Sequence, residues 1–402
     1  MKVIVSQYGA RRRYLIPQIL QSAGILSYLY TDSYKDSKLG KMASLLAKFN
    51  FQNTAIFRLL KRSPNIPREK IRANDFLQLK LLFLKLTKSS HQKIVDCIFE
   101  GNSKAFIRWG CKNTDWLYAM YLETYDFTEY SKKHGVKILV DIYENPYIFK
   151  ELAEEIDSLP ELKCVTHLKN DYICQYNLRL KYIDKLLDIA DQYLIPSEYV
   201  KNVLQEKSPY FDANKVNIIP YVSSVANSNY RNVPIKGRII WIGNDLVRKG
   251  LVYSLRAINV LKIKYPYLDF RVIGPMPKEI IYSDYFKNCN FIGYLNKEQL
   301  QDEFVKADMY VFPTLAEGFA GSLLEAASFG VPIITTHASG FGNDFPGIFI
   351  KEKNVDDIVS AISLLLEDRD KRYNISRELF DYSQNYDKDS FKVDLLNLLY
   401  SK

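Results

Sequence analysis

Two glutamates dominate the chemistry that this 402-residue chain could perform. Residues 309–340 read MYVFPTLAEGFAGSLLEAASFGVPIITTHASG: a buried-strand pattern ending at Pro313, a loop carrying Glu317, Gly318, Phe319, Ala320 and Gly321, and a helix opening near Ser322. Glu325 then falls about one turn inside that helix while Glu317 stays on the loop before it, so both carboxylates can border one pocket. Gly318 and Gly321 let the loop backbone approach a ligand, and the free amides at the helix start offer a seat for a phosphate. Such a pocket suits a nucleotide sugar. One carboxylate would accept hydrogen bonds from sugar hydroxyls and the other from ribose hydroxyls, with the pyrophosphate at the helix tip between them. A glutamate pair at this spacing is also common on solvated helices. The preceding strand, the glycines and the GVPIIT run that follows are what give it weight.

These residues need a frame, and the pattern of apolar runs supplies one. From Gly237 onward, strand-like runs at 238–243, 269–274, 290–292, 309–313, 331–336 and 348–351 alternate with helical patterns near 251–263, 297–306, 322–329 and 355–366. That alternation predicts parallel strands covered by helices on both faces. A looser version precedes it, with strands at 3–6, 26–30, 116–121, 137–142, 192–196 and 216–220 and a helix near 14–23. The expected fold class is therefore α/β, with two doubly wound parallel-sheet domains of Rossmann-like type facing a central cleft. Residues 223–236 (SSVANSNYRNVPIK) read as a linker. The expected domains are 1–225 and 226–385, with 386–402 as a terminal helix packing back toward the N-terminal domain.

The 309–340 segment resembles the signature of retaining glycosyltransferases of family 4 (group 1), which have the GT-B fold and carry two Glu separated by seven residues ahead of a G-V-P strand. The resemblance implies that Glu317 contacts the donor sugar and Glu325 the ribose, with Gly318, Phe319, Gly321 and Ser322 completing the donor site. Residues 238–250 (RIIWIGNDLVRKG) are similar to the family's first strand and phosphate loop, V-G-R-x-x-x-x-K-G. Lys249 matches the lysine that neutralises the departing diphosphate, and Asn244 stands where the accompanying Arg is usual. That missing charge leaves Arg248, or Arg11 or Arg12, to compensate, or else leaves the departing diphosphate less stabilised. FRVIGP at 270–275, NFIGYL at 290–295 and the stretch 184–221 are also similar to the family, with Ser197 placed to cap a helix. The amino-terminal QYGARRRYLIPQILQSAGILSYLYTD looks like a subgroup with G-A-R in place of a glycine-rich loop. On that likeness Gly9 and Arg11 face the donor phosphates.

The implied activity is retaining transfer of a sugar from a nucleoside-diphosphate sugar to an acceptor hydroxyl, in bacterial surface polysaccharide or lipopolysaccharide assembly. Glu317 and Lys249 would carry the catalysis, and the acceptor would be a glycan or lipid-linked molecule. A sugar-nucleotide epimerase on the same fold and a catalytically inactive membrane-associated binding protein are the alternatives.

Composition narrows the rest. Residues 1–100 hold 18 Lys and Arg against 6 Asp and Glu, whereas the remainder holds 37 against 40. Segments 41–62 and 76–88 mix Leu, Ile and Phe with Lys and Arg, as interfacial helices do, so an anionic membrane surface is an expected partner. Nucleic acid is not, because no base-stacking or groove-binding motif accompanies the charge. No apolar run nears the ~18 residues of a membrane span. MKVIVSQYG lacks the apolar core of a secretory signal. The expectation is a cytoplasmic chain docking peripherally on the inner face of a membrane. Five scattered cysteines without C-x-x-C spacing suit reduced thiols. The acidic triplets at 368–370 and 387–389 sit in polar turns, whereas a metal-binding D-x-D should close a buried strand, so no metal or other cofactor is expected.

Overall fold

The computed structural model describes residues 1–48, 54–87, 89–222, 229–230 and 232–401. Runs such as VIVS, KILVD, RIIWI and MYVF are nearly continuous in apolar or β-branched residues, as strands buried on both faces must be. In the first sheet they form β1 (Val3–Ser6), β2 (Leu26–Thr31), β3 (Ile71–Ala73), β4 (Trp116–Met120), β5 (Lys137–Asp141), β6 (Gln192–Ile195) and β7 (Val216–Ile218). The second sheet holds β8 (Arg238–Ile242), β9 (Asp269–Ile273), β10 (Asn290–Gly293), β11 (Met309–Phe312), β12 (Ile333–Thr335) and β13 (Ile348–Phe349). Strand order is 3-2-1-4-5-6-7 in the first and 10-9-8-11-12-13 in the second. The neighbours with defined register run parallel, for example β1 with β2 and β4, and β8 with β9 and β11.

Both orders reverse direction once, between β1 and β4 and between β8 and β11. In open parallel sheets, ligands settle outside the carboxyl ends of the strands at that reversal. Met309 lies opposite Ile239 and Tyr310 opposite Ile240, so the loops leaving β8 and β11 emerge side by side.

The chain forms two compact units that are not contiguous in sequence. The first comprises Met1–Ile142, Asn177–Leu194 and Ser208–Asn217; the second comprises Tyr143–Tyr176, Ile195–Lys207 and Ile218–Lys402. The boundary expected at 225/226 lies outside the described residues. The last helix, Lys388–Tyr400, belongs to the second unit and buries Phe391, Leu395, Leu398 and Leu399. The second unit's core joins Ile239, Trp241, Val272, Tyr310 and Ile333 of its sheet to Leu152, Ile156 and Leu162 from the early segment. Burial of so many large side chains is what keeps the loops above the sheet rigid.

Candidate active site

The turn after β8 is locked from inside. Asp245 accepts from the Arg248 amide (3.1 Å) and from Arg248 Nε (3.1 Å), closing the turn that leads into the helix Leu251–Lys264. Tyr172 donates its hydroxyl to Asp245 Oδ1 at 2.5 Å. The loop after β11 is stitched to this turn, because the Arg248 carbonyl accepts from the Leu315 amide (2.8 Å) and from Thr314 Oγ1 (3.0 Å). On its other flank the Glu317 amide donates to Ala338 O (2.7 Å) and the Ala320 amide to Ser339 O (2.9 Å). Ser197 donates to Gly318 O at 2.6 Å while its Oγ also accepts from the Val200 amide (3.3 Å), the helix cap that its sequence context predicts.

Fixed in this way, three charges converge. Arg248 NH1 lies 2.7 Å and Lys249 Nζ 3.2 Å from the same Glu317 oxygen, Oε1. Arg248 also donates to Ala316 O at 2.9 Å, and the Lys249 ammonium sits 4.7 Å from the centre of the Phe312 ring. Burial alone would push the Glu317 carboxyl up, but Lys249 and then Arg248 outweigh it and hold the group below its ordinary value. Burial would likewise lower the Arg248 guanidinium, and Glu317 and Asp245 more than reverse that. The Glu317 carboxylate and the Arg248 guanidinium are therefore both charged near neutrality. Two cations sharing one carboxylate at the end of a parallel sheet can exchange that partner for an incoming anion.

Residues 232–379 match the sequence family described as "Glycosyl transferases group 1". Over those residues the second unit is similar to that family. Over 173 residues the chain is 27% identical to the N,N'-diacetylbacillosaminyl-diphospho-undecaprenol alpha-1,3-N-acetylgalactosaminyltransferase of Campylobacter jejuni, covering 42% of this chain and 45% of that one. Over 177 residues it is 26% identical to a sulfoquinovosyl transferase of Arabidopsis thaliana, covering 42% and 34%. The chain thus matches less than half the length of these curated relatives. Among solved structures, sucrose-phosphate synthase from Thermosynechococcus elongatus superposes with a TM-score of 0.68 at 14% identity over 100% of this chain and 99% of that one. WaaG, a glycosyltransferase involved in lipopolysaccharide biosynthesis, gives 0.62 at 14% identity over 98% and 99%. At such identity the likeness speaks to the fold, which is GT-B.

Around this charged trio, the other residues singled out by sequence fall into distinct places. Gly321 opens the helix Gly321–Ala327, with free space where a Cβ would stand. Ser322 Oγ is 3.1 Å from the hydroxyl of buried Tyr310, and Glu325 sits half-buried on the same helix. Asn244 is exposed in the turn after β8. Gly318 is also required by packing, since a Cβ there would lie 1.8 Å from Tyr143 O. The Phe319 ring is buried against Phe341, with centroids 4.3 Å apart, which leaves its backbone for a ligand.

Gly9 and Arg11 lie in the first unit, where the Gly9 amide donates to Asp32 Oδ1 (2.7 Å) and Arg11 Nε to Glu123 Oε1 (3.1 Å). Arg12 pairs with Asp141 at 2.9 Å. The two acidic triplets are helix N-caps: Asp368 accepts from the Lys371 amide, and Asp387 from the Asp389 and Ser390 amides. Sequence reasoning missed Asp245 and Tyr172. The i, i+3 spacing of Asp245 and Arg248 was a usable signal for the first. Nothing local marks Tyr172, which is far away in the chain.

Proposed function

We propose that the protein is a nucleotide-sugar dependent glycosyltransferase that moves a sugar to an acceptor hydroxyl with retention of anomeric configuration. The observation that carries this reading is the convergence of Arg248 and Lys249 on Glu317 at the strand-order reversal of a unit similar to the group 1 family. A bound donor presents its diphosphate to the two cations and its sugar hydroxyls to Glu317, so one ion-pair network is traded for another. As the anomeric C–O bond breaks, its electron pair leaves on the diphosphate, where Lys249 and Arg248 stabilise the growing charge. Arg248 thereby supplies the positive charge that Asn244 lacks. The acceptor oxygen bonds to the anomeric carbon and its proton is released. Glu325 takes the ribose hydroxyls, and the first unit is assigned to the acceptor.

A lipid-linked acceptor in surface-glycan assembly is the proposed substrate class; the Campylobacter jejuni relative is a diphospho-undecaprenol N-acetylgalactosaminyltransferase, and WaaG is involved in lipopolysaccharide biosynthesis. Because two side-chain cations already answer the diphosphate, transfer should survive chelation by EDTA. The reading is tested by thermal unfolding with uridine, guanosine and adenosine diphosphates. One of them at about 100 times its Kd should add roughly 2.7 kcal/mol of stability. No stabilisation of the wild type by any of the three would overturn it.

A further inference from the structure

The helix Asp75–Leu86 (DFLQLKLLFLKL) of the first unit is apolar on two opposite faces. At 3.6 residues per turn Leu77, Leu81 and Leu84 share one face, and they pack with Cys97, Ile94 and Ile98. The other face carries Phe76, Leu79, Leu82, Phe83 and Leu86, all open to solvent, with Phe76 and Leu86 each 74% exposed. Lys80 and Lys85 stand at the two borders between these faces. A helix lying on a soluble protein normally turns its polar residues outward. Here the outward stripe is the more aromatic of the two, and a contiguous apolar patch of this kind marks an interaction surface.

A neighbouring helix, Lys38–Lys48, extends the feature with exposed Met42, Leu45 and Leu46. Both helices spring from one anchor. Asp75 accepts from Ser33 Oγ and Ser37 Oγ, each at 2.6 Å, and from the Leu39 amide at 3.3 Å. The only acidic residue of the helix is thus engaged by the segment that opens the Lys38–Lys48 helix. Lys35, Lys38 and Lys41 are exposed along the adjoining turn and helix, against the single exposed acid Asp36.

We propose that the outer face of Asp75–Leu86 seats the protein on an anionic lipid bilayer, with Phe76, Phe83 and Leu86 below the headgroups and Lys80 and Lys85 reaching to the phosphates. The charge selects this occupant. A second copy would bring the same excess of 18 basic over 6 acidic residues in 1–100 against itself, whereas a bilayer offers negative charge and apolar depth together. Long lysine stems suit that boundary. Twelve residues span only about 18 Å, so the helix lies in the plane of the membrane. Among the described residues no helix is long and apolar enough to cross one. The proposal goes beyond the glycosyl-transfer reading, because docking requires neither donor nor turnover.

Flotation of the full chain with phosphatidylcholine vesicles, with and without phosphatidylglycerol, tests it. The wild type should float with the phosphatidylglycerol vesicles and be released as salt rises. A Phe76→Ser, Phe83→Ser double variant should lose at least about tenfold in partition, with an unchanged melting temperature. Lys80→Glu, Lys85→Glu should lose binding through charge alone, a second route should the first variant unfold. Absence of wild-type binding, or equal flotation of wild type and both variants, overturns the proposal. So does a dimer of the wild type that the serine variant dissolves, since the face would then belong to a second copy. Nucleoside-diphosphate stabilisation, measured on the same samples, reports separately on the glycosyl-transfer reading.

Discussion

Each unit places an arginine against a glutamate at the same topological point, yet the two carboxyls behave in opposite ways. In the first unit Glu123, just after β4, accepts from the Tyr8 amide (2.6 Å) and from Arg11 Nε. In the second, Glu317, on the loop after β11, meets Arg248 and Lys249. Burial pushes both up. Glu123 reaches about 7, because Arg11 offsets only part of that penalty and the nearby Asp32 adds to it. Glu317 is carried below its ordinary value because two cations share a single oxygen. The Arg11 side chain is 45% exposed, against 21% for Arg248 and 14% for Lys249, so water weakens the first pair and scarcely the second. The fold fixes where a carboxyl stands; the number and enclosure of its cations fix whether it keeps its proton.

The largest test of this contrast is turnover. Lys249→Ala should lower kcat by roughly 10²-fold or more, while Arg11→Ala should cost less than about tenfold in a coupled assay of diphosphate release. Equal losses would show that the two loops serve the donor alike.

Stability gives the next. At neutral pH Glu317→Gln removes the carboxylate that Lys249 and Arg248 share and should cost about 3 kcal/mol in urea unfolding, whereas Glu123→Gln should cost about 1. Their pH signatures should also diverge. The raised Glu123 favours the folded state fully below its ordinary 4.5 and loses that contribution as pH rises from there through about 7, a slope that the Gln variant removes. The lowered Glu317 contributes above its ordinary 4.5, and that contribution is lost as pH falls through its depressed value. Matching slopes would erase the distinction.

The smallest contrast concerns the glycines beside each site. Gly318→Ala drives a methyl into a backbone carbonyl and should cost about 2–3 kcal/mol. Gly9→Ala meets nothing closer than 3.9 Å and is opposed only by its φ of +70°, so about 1 kcal/mol is expected from thermal melts.

Much of this molecule was legible in its sequence where burial is two-sided. RIIWI and MYVF announce β8 and β11 within a residue or two, because a strand covered on both faces has few polar positions to blur its ends. β3, with three half-buried residues at the sheet edge, left no such trace. The charged trio was partly legible: Lys249 and Glu317 through their motifs, Arg248 as a substitute for Asn244. Its rigidity was not, because Tyr172 and Ser197 reach the site from distant segments that only the fold brings near. Gly318 and Phe319 show what packing adds to a motif. A motif marks which residues matter, and the packing against Tyr143 and Phe341 shows why.

The interleaving of the two units also bears on how the chain comes off the ribosome. Leu152, Ile156 and Leu162 emerge early, yet the β-strands that cover them begin only at Arg238. During synthesis these side chains must wait, uncovered, for nearly eighty residues, and a fragment cut at any single peptide bond between the two sheets would carry the same deficit permanently. Isolating the second unit therefore calls for grafting 143–176 and 195–207 back onto it rather than for choosing a better cleavage point.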